Sequence, residues 1–245
     1  MSNTNPTGPT GKTTATPSPS PLADHPLLVG LRAARANFIP GLIIQVAMVA
    51  LVLAYNYHEP TQLRLGELAA MKERWGYLFS FLLGAIAGGV LPELLLVGLT
   101  QQWRVRKKNL NNALFHILLW GGESVIVDAF YRVQGHLFGT EADFFTVAIK
   151  VFVDQFIYCV IFAMPFSVFI YEWRNQGYRF AGLSRVLTPR FYAQKVFPSL
   201  VANWGVWIPL VSVIYSMPSQ LQIPLFGLAL TFWVILFAWI NRPRA

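Results

Sequence analysis

Six long apolar stretches constrain the fold of this chain more than any other feature of its sequence. They lie near residues 38–57, 75–100, 110–137, 144–173, 196–217 and 223–241. Each is close to the ~20 residues that an α-helix needs to cross a hydrocarbon core of ~30 Å. Because lipid offers the backbone no hydrogen bonds, such segments fold as helices that satisfy their own amide groups. We therefore predict an all-α, polytopic transmembrane helix bundle with five or six spans.

The composition argues against a water-soluble domain. Hydrophobic residues make up 55% of the chain and charged residues only 12%, whereas soluble domains carry roughly a quarter charged residues. The net charge of +8 would suit a nucleic-acid-binding protein. However, the Lys and Arg residues lie in short connectors and not along a stripe with stacking aromatic rings. We expect the lipid bilayer to be the partner and expect no nucleic acid.

The chain begins with a polar segment that differs from the rest. Its first 21 residues are mostly Ser, Thr, Pro, Asn and Gly, which cannot bury enough apolar area to offset the entropy of ordering. It has neither the short apolar core of a secretory signal nor the many Arg of a transit peptide. We predict a disordered tail over residues 1–27 and one transmembrane domain over residues 28–245.

The basic residues predict an orientation. If all six stretches cross the membrane, fourteen Lys and Arg lie on the side of the tail and three on the other side. By the positive-inside rule, both termini face the cytosol or the matrix. We expect a multi-pass protein of a bacterial inner membrane or an organellar membrane. Only residues 218–222 separate the last two stretches, so residues 196–241 form either a tight hairpin or one broken helix.

Charged residues inside the apolar stretches are the candidate functional residues, because each costs at least ~2.5 kcal/mol at membrane depth. They are Glu93, Glu123, Asp128, Arg132, Lys150 and Asp154, with His116 near the basic end of its stretch. Asp128 and Arg132 are four residues apart, as are Lys150 and Asp154, so each pair is predicted to meet on one helical face. The third and fourth stretches run in opposite directions after a short connector. We therefore predict that these four charges form one cluster in the outer half of the membrane.

Two interpretations of these charges remain open. Glu123 lies about one and a half turns deeper than Asp128, and Glu93 lies in the inner half of its own helix. Together they could continue a polar track for a channel-like or solute-permeation role. Alternatively, the charges are structural ion pairs and hydrogen bonds in a non-transporting scaffold or partner-organising bundle. Association with further copies of the chain is left open, as is the identity of any solute.

An intramembrane enzyme is a third interpretation, and we expect no enzymatic activity. The chain has no His-Glu-x-x-His, Gly-x-Ser-x-Gly or phosphate-binding glycine motif. Its one cysteine, Cys159, leaves no metal-ligand spacing, so we expect no metal and no cofactor. Asp128 and Asp154 could form a carboxylate dyad, but each has a basic residue four positions away that favours ionisation of both.

Small residues and a proline predict close packing in the second stretch. Gly84 and Gly88 form a small-xxx-small pair that lets another helix approach closely. Pro92 is predicted to kink the same span, since proline lacks the amide hydrogen that continues a helix.

Several motifs from the second stretch onward resemble the Mpv-seventeen family, which includes peroxisomal membrane protein twenty-two. Lys150, Asp154 and Gln155 are similar to its Lys-x-x-x-Asp-Gln motif. Asn203 and Trp207 keep its Asn-x-x-x-Trp spacing. Further matches are Phe130, Tyr131 and Arg132 to its aromatic-Tyr segment, and Pro209, Ile214, Tyr215, Met217 and Pro218 to its Trp-Pro, Phe-Tyr and Val-Pro elements.

The resemblance covers about residues 75–239. It implies a small helical bundle with a channel-like or solute-homeostasis role. The chain departs from the family pattern at Pro209, which stands one residue later than in the Trp-Pro element. The first apolar stretch, 38–57, is additional to the pattern.

Overall fold

The computed structural model describes residues 25–179 and 188–240, and side chains up to residue 233. These residues form eight helices and, within the described ranges, no strand. The helices are α1 Pro26–Ala36, α2 Phe38–Tyr57, α3 Glu59–Trp75, α4 Tyr77–Thr100, α5 Lys107–Phe138, α6 Phe144–Asn175, α7 Pro189–Tyr215 and α8 Ser219–Ile240. Five of them, α2, α4, α5, α6 and α7, are long and apolar enough to cross a membrane. The predicted all-α, multi-spanning fold is confirmed.

Two boundaries differ from those predicted. Residues 1–24 of the predicted tail lie outside the described residues, and α1 begins at Pro26, inside the range predicted to be disordered. The segment between the first two apolar stretches was not assigned a helix from the sequence, yet Glu59–Trp75 is helix α3. This helix buries Leu65 and Lys72 against the bundle. Burial of one face explains why a charged segment folds as a helix here.

Helices α4 and α5 run in opposite directions through the bundle. Contacts between α4 and α5 show this, because Ser80 meets Asp128, Gly84 meets Ser124 and Glu93 meets Asn109. One end of the bundle carries the Arg104–Lys108 connector and Arg174, and we call it the basic end. The other carries the connectors after α5 and α7, and we call it the hairpin end.

The last two helices form a hairpin, which decides between the two alternatives left open for residues 196–241. The rings of Trp207 on α7 and Phe226 on α8 lie 5.5 Å apart. Pro198 and Trp233, further from the turn, line one cavity. Residues in contact therefore lie progressively further from Pro218 along both helices, as in an antiparallel pair. Helix α8 returns from the hairpin end towards the basic end.

The predicted glycine packing is confirmed and determines how closely α4 approaches α5. A Cβ atom on Gly84 would overlap the carbonyl oxygen of Trp120, and one on Gly88 would overlap the Trp120 ring. Neither position has room for a side chain. The backbones can come this close only because both residues are glycine.

Three of the helices contain a widened, π-helical turn in the described part of the chain. These turns are Ala85–Val90 in α4, Val153–Ala163 in α6 and Tyr192–Val196 in α7. Each ends two residues before a proline, namely Pro92, Pro165 and Pro198. Proline donates no backbone hydrogen bond and its ring crowds the carbonyl four residues earlier, so the preceding turn opens. At Pro92, where a kink is predicted, the helix has such a widened turn.

Candidate functional site

The first buried polar group surrounds Asp128 near the hairpin end. Its Oδ2 accepts hydrogen bonds from the Lys72 ammonium and, at 2.6 Å, from the Ser80 hydroxyl. Its Oδ1 accepts one of 3.1 Å from Nε of Arg132, which confirms the predicted Asp128–Arg132 pair. The pair with Lys72 is buried, whereas the Arg132 side chain is 55% exposed. Burial lowers the pKa of Lys72, which lies outside the five apolar helices, and the Asp128 carboxylate opposes that effect.

The second buried polar group surrounds Asp154 on α6. Its Oδ2 accepts a hydrogen bond of 2.6 Å from the Tyr215 hydroxyl, and its Oδ1 accepts one of 2.8 Å from Nε2 of Gln155. Asn203 donates to Oε1 of Gln155 at 3.4 Å, and Gln134 donates to the Tyr215 oxygen at 2.6 Å. A hydrogen-bond chain therefore links α5, α6 and α7 at membrane depth. It brings together Asp154, Gln155 and Asn203, which stand in two separate motifs in the sequence.

Lys150 does not pair with Asp154, so the prediction of a second i,i+4 ion pair is wrong. The Lys150 side chain is buried, and its Nζ lies 5.9 Å from the centre of the Tyr215 ring. Among the described residues, no carboxylate lies within ion-pair distance of it. The π-helical turn that begins at Val153 changes the spacing of side chains along α6, so residues four apart no longer stack.

The predicted single cluster of four charges is divided into two. Asp128 and Arg132 belong to the first buried group, and Lys150 and Asp154 lie beside Tyr215 in the second. The Tyr131 ring packs against Tyr215 of the second group, with the two ring centroids 4.8 Å apart. The structure thus assigns to two groups the charges that helix direction alone had placed together.

The two glutamates without a partner on their own helix find one on a neighbouring helix. Glu123 accepts a hydrogen bond of 2.6 Å from the Ser167 hydroxyl on α6. Glu93 accepts one of 2.6 Å from the Asn109 amide at the start of α5. Glu93 does not line the cavities described below, so its predicted place in a polar track is not supported. It fastens α4 to the first turn of α5.

A central cavity of about 220 Å³ lies between α5, α6, α7 and α8. The carboxylates of Glu123 and Asp154 both line it, and no Lys, Arg or His of the described residues does. Aromatic rings form much of the remaining wall. Lys150, which lies beside Tyr215 in the Asp154 group, does not line this cavity. Its wall is therefore acidic, and in an interior of low dielectric constant ionised groups in a wall act strongly on the contents of a cavity.

Larger cavities adjoin the central one on both sides. A cavity of about 480 Å³ at the hairpin end is lined by Lys72, Asp128 and Arg132, and shares Tyr131 with the central cavity. A cavity of about 660 Å³ at the basic end shares Trp120, Met164, Asn203 and Trp207 with it. Gly135 and His116, which line the two end cavities, lie 19 residues apart on α5, a distance of ~28 Å along a helix. The three cavities follow one another over nearly the thickness of a hydrocarbon core.

The family-motif residues occupy distinct places in this arrangement. Asn203 and Trp207 line both the central and the basic-end cavities. Pro209 lies inside α7, and Pro218 lies in the turn of the hairpin. His116 on α5 meets Nη1 of Arg174 at 3.2 Å. Asn203 and Trp207 thus lie at cavity walls, whereas the two prolines lie within and after α7.

Three polar residues of these groups were missed at the sequence level, namely Lys72, Ser80 and Gln134, and Tyr215 was noted only as part of a motif. For Lys72 a signal exists, because Leu65, Leu68, Ala69 and Lys72 recur at helical spacing and all lie against the core. For Ser80 and Gln134 no local pattern marks a role. Within the described ranges, no group of three or more His, Cys, Asp or Glu could hold a metal ion.

Comparisons with models of known families, with curated proteins and with solved structures find no match. The fold therefore defines the class by itself: a multi-pass helical membrane protein with two buried polar groups and a chain of cavities along its core.

Proposed function

We propose that this protein provides a route for small solutes across its membrane, with cations favoured over anions. The observation that carries the proposal is the succession of three cavities along α5, with Glu123 and Asp154 at the central one. A charged solute in transit needs polar groups where lipid supplies none, and buried carboxylates at that depth supply them. The resemblance to the Mpv-seventeen family remains a prediction that points to the same role.

The narrow points of this route are aromatic. Tyr131 stands between the hairpin-end and central cavities, and Trp120 and Trp207 stand between the central and basic-end cavities. Movement of these side chains would connect each cavity to the next. The route is therefore a gated one, and its central chamber of about 220 Å³ limits the size of the solute.

Flux through reconstituted protein tests the proposal. Liposomes containing the purified full chain should pass K⁺ faster than Cl⁻. Glu123→Gln should reduce this preference, because it removes one of the two charges at the central cavity. Glu141→Gln changes an exposed acid in the α5–α6 connector and should leave the preference unchanged. Absence of any ion or small-solute flux, with none gained or lost in Glu123→Gln or Asp154→Asn, would reject a permeation role.

A second candidate function is a non-transporting scaffold, and one observation favours it. Both oxygens of Asp154 and both oxygens of Asp128 already accept hydrogen bonds from protein groups. In a scaffold these carboxylates serve only to join helices. Asp154→Asn should then lower the unfolding temperature in detergent and reduce any oligomer content, with no flux in the wild-type protein.

A further inference from the structure

A fourth cavity lies between α5 and α6 and serves no step of the proposed route. It has a volume of about 650 Å³ and a mostly apolar wall. Helix α5 contributes residues at helical spacing from Asn111 to Ile126, and α6 contributes Phe166, Ile170 and Arg174. Glu123 is the one residue it shares with the central cavity. We call it the α5/α6 groove.

The dimensions of the α5/α6 groove suit a hydrocarbon chain. From Asn111 to Ile126 the helix rises ~22 Å, which exceeds the ~15 Å of hydrocarbon in one leaflet of a ~30 Å core. The volume lies within the ~300–1,000 Å³ typical of small-ligand sites. One extended acyl chain from the leaflet at the basic end therefore fits along it.

The groove opens towards the bilayer. Leu114 and Leu118, which line it, and Leu110 beside it have exposed side chains. Helix α5 is one of the five helices long and apolar enough to span the membrane. Exposed leucines on such a helix contact lipid, so a lipid molecule can enter from the side without crossing a polar barrier.

The basic end of the groove carries a positive charge. The Arg174 guanidinium bonds to Oδ1 of Asn112 and to Nε2 of His116, and lies 4.2 Å from the centre of the Phe115 ring. None of these partners is a carboxylate, and no ion pair with an acid is formed by Arg174 within the described ranges. Lys107 and Lys108 are exposed at the same end. An anionic headgroup at this depth complements that charge.

We infer that the α5/α6 groove binds an anionic phospholipid, with one acyl chain along the apolar wall and the phosphate at Arg174. This site is independent of the proposed route, since it needs no flux. The occupant is taken from the bilayer itself, because the groove is open to lipid and its charge is at headgroup depth.

Gly122 offers a substitution that fills the groove without disturbing the protein. It lines the groove, and a Cβ atom built on it meets nothing within 4 Å. Gly122→Leu places a side chain where the acyl chain would lie. Gly66 on α3 is a matched control, because it is also helical and its Cβ also meets nothing within 4 Å. Gly66→Leu makes the same chemical change away from the groove.

Native mass spectrometry of the detergent-purified full chain tests the site. The probes are dioleoylphosphatidylglycerol and dioleoylphosphatidylcholine, which have identical chains and differ in headgroup charge. Wild type and Gly66→Leu should retain the anionic lipid preferentially, and Gly122→Leu should lose that retention at an unchanged unfolding temperature. Equal retention of the two lipids by wild type, or undiminished retention of the anionic lipid by Gly122→Leu, overturns the assignment.

Variants of Arg174 separate the headgroup contact from a packing role. Arg174→Gln should weaken retention of the anionic lipid about fivefold, as expected for ~1 kcal/mol per basic residue near an anionic surface. Arg174→Lys keeps the charge and should retain most of the preference, and Arg104→Gln removes an exposed basic residue at the same end with a smaller effect. A Lys variant as defective as the Gln variant contradicts a charge role. If Gly122→Leu abolishes dimers of the chain and leaves lipid retention unchanged, this face binds a second copy of the chain. That result would overturn the proposal.

Discussion

Tyr215 holds the carboxylate of Asp154 with a hydrogen bond of 2.6 Å, although the two residues lie 61 positions apart in the chain. The same hydroxyl oxygen accepts from Gln134, so its single hydrogen must go to the carboxylate. One phenol thereby joins α5, α6 and α7 away from water. The Oε1 atom of Gln134 is buried without a hydrogen-bond partner among the described residues, so the bond to Tyr215 is the one hydrogen bond of this side-chain amide there.

Tyr215→Phe should lower the free energy of unfolding by about 1–3 kcal/mol, because it leaves a buried carboxylate and a buried amide each without one partner. Denaturant unfolding in detergent measures the change. Tyr57→Phe is the matched control, since the Tyr57 side chain is 86% exposed, and it should leave the free energy unchanged. Equal stability of wild type and Tyr215→Phe would contradict the role given to this phenol.

Gly84→Ala should destabilise the bundle by about 1–3 kcal/mol or more, because the added methyl group enters space held by Ser124 and the Trp120 carbonyl. Gly122→Ala on α5 makes the same change in open space and should be neutral or stabilising by up to about 1 kcal/mol. Unfolding temperatures of the two variants, measured side by side, compare them. Similar losses in both would mean that the close approach of α4 to α5 is not required.

Lys72→Met should lower the free energy of unfolding by about 3 kcal/mol, which is at the low end for a broken buried ion pair. The loss is limited because Arg132 and Ser80 still donate hydrogen bonds to Asp128. Arg132→Met should cost less than about 1 kcal/mol, because its side chain is 55% exposed and solvent screens it. Both variants remove a cation from the same carboxylate. A larger effect from Arg132→Met, measured by denaturant unfolding, would reverse this ranking.

Asp143 caps the start of α6 and predicts a pH effect. Hydrogen bonds from the Thr146 side chain and backbone and from the Phe145 amide hold its pKa below the ordinary aspartate value. The pKa of Asp143 is lower in the folded protein than in the unfolded chain, so its ionised cap stabilises the fold fully at pH values above the ordinary aspartate pKa. This stabilisation is lost as the pH falls through the folded-state pKa. Wild type should therefore lose stability relative to Asp143→Asn as the pH falls from neutral towards ~3. A constant difference over that range would exclude the linkage.

The spans could be predicted because their cause is local. Apolar stretches of membrane-crossing length specify helices whatever surrounds them, and the five long apolar helices match five of the six predicted stretches within a few residues, apart from the earlier start of α7. Gly84 and Gly88 were also recognisable, since close helix contact needs small residues at that spacing. The hairpin at Pro218 required the packing of Trp207 on Phe226, which no local pattern encodes.

The polar groups were predicted only in part, because side-chain partners depend on helix rotation and on distant segments. Asp128–Arg132 formed as expected, since α5 is a regular α-helix there. Lys150–Asp154 did not form, since α6 widens between them. Lys72 was not singled out from the sequence, because it lies between the first two apolar stretches among other charged residues. Its helical spacing with Leu65 and Leu68 was the clue that it faces the core.

The widened turns before Pro92, Pro165 and Pro198 have a consequence for insertions and deletions in this chain. Successive residues of an α-helix are rotated by about 100° around its axis. The extra residue in a widened turn therefore sets the direction of every side chain that follows it. Deleting one residue between Ala85 and Val90 would restore the regular α-helical hydrogen-bond pattern. It would also rotate Glu93 by about 100° around the helix axis, away from Asn109. Chain length in these short segments is therefore as strongly constrained as residue identity.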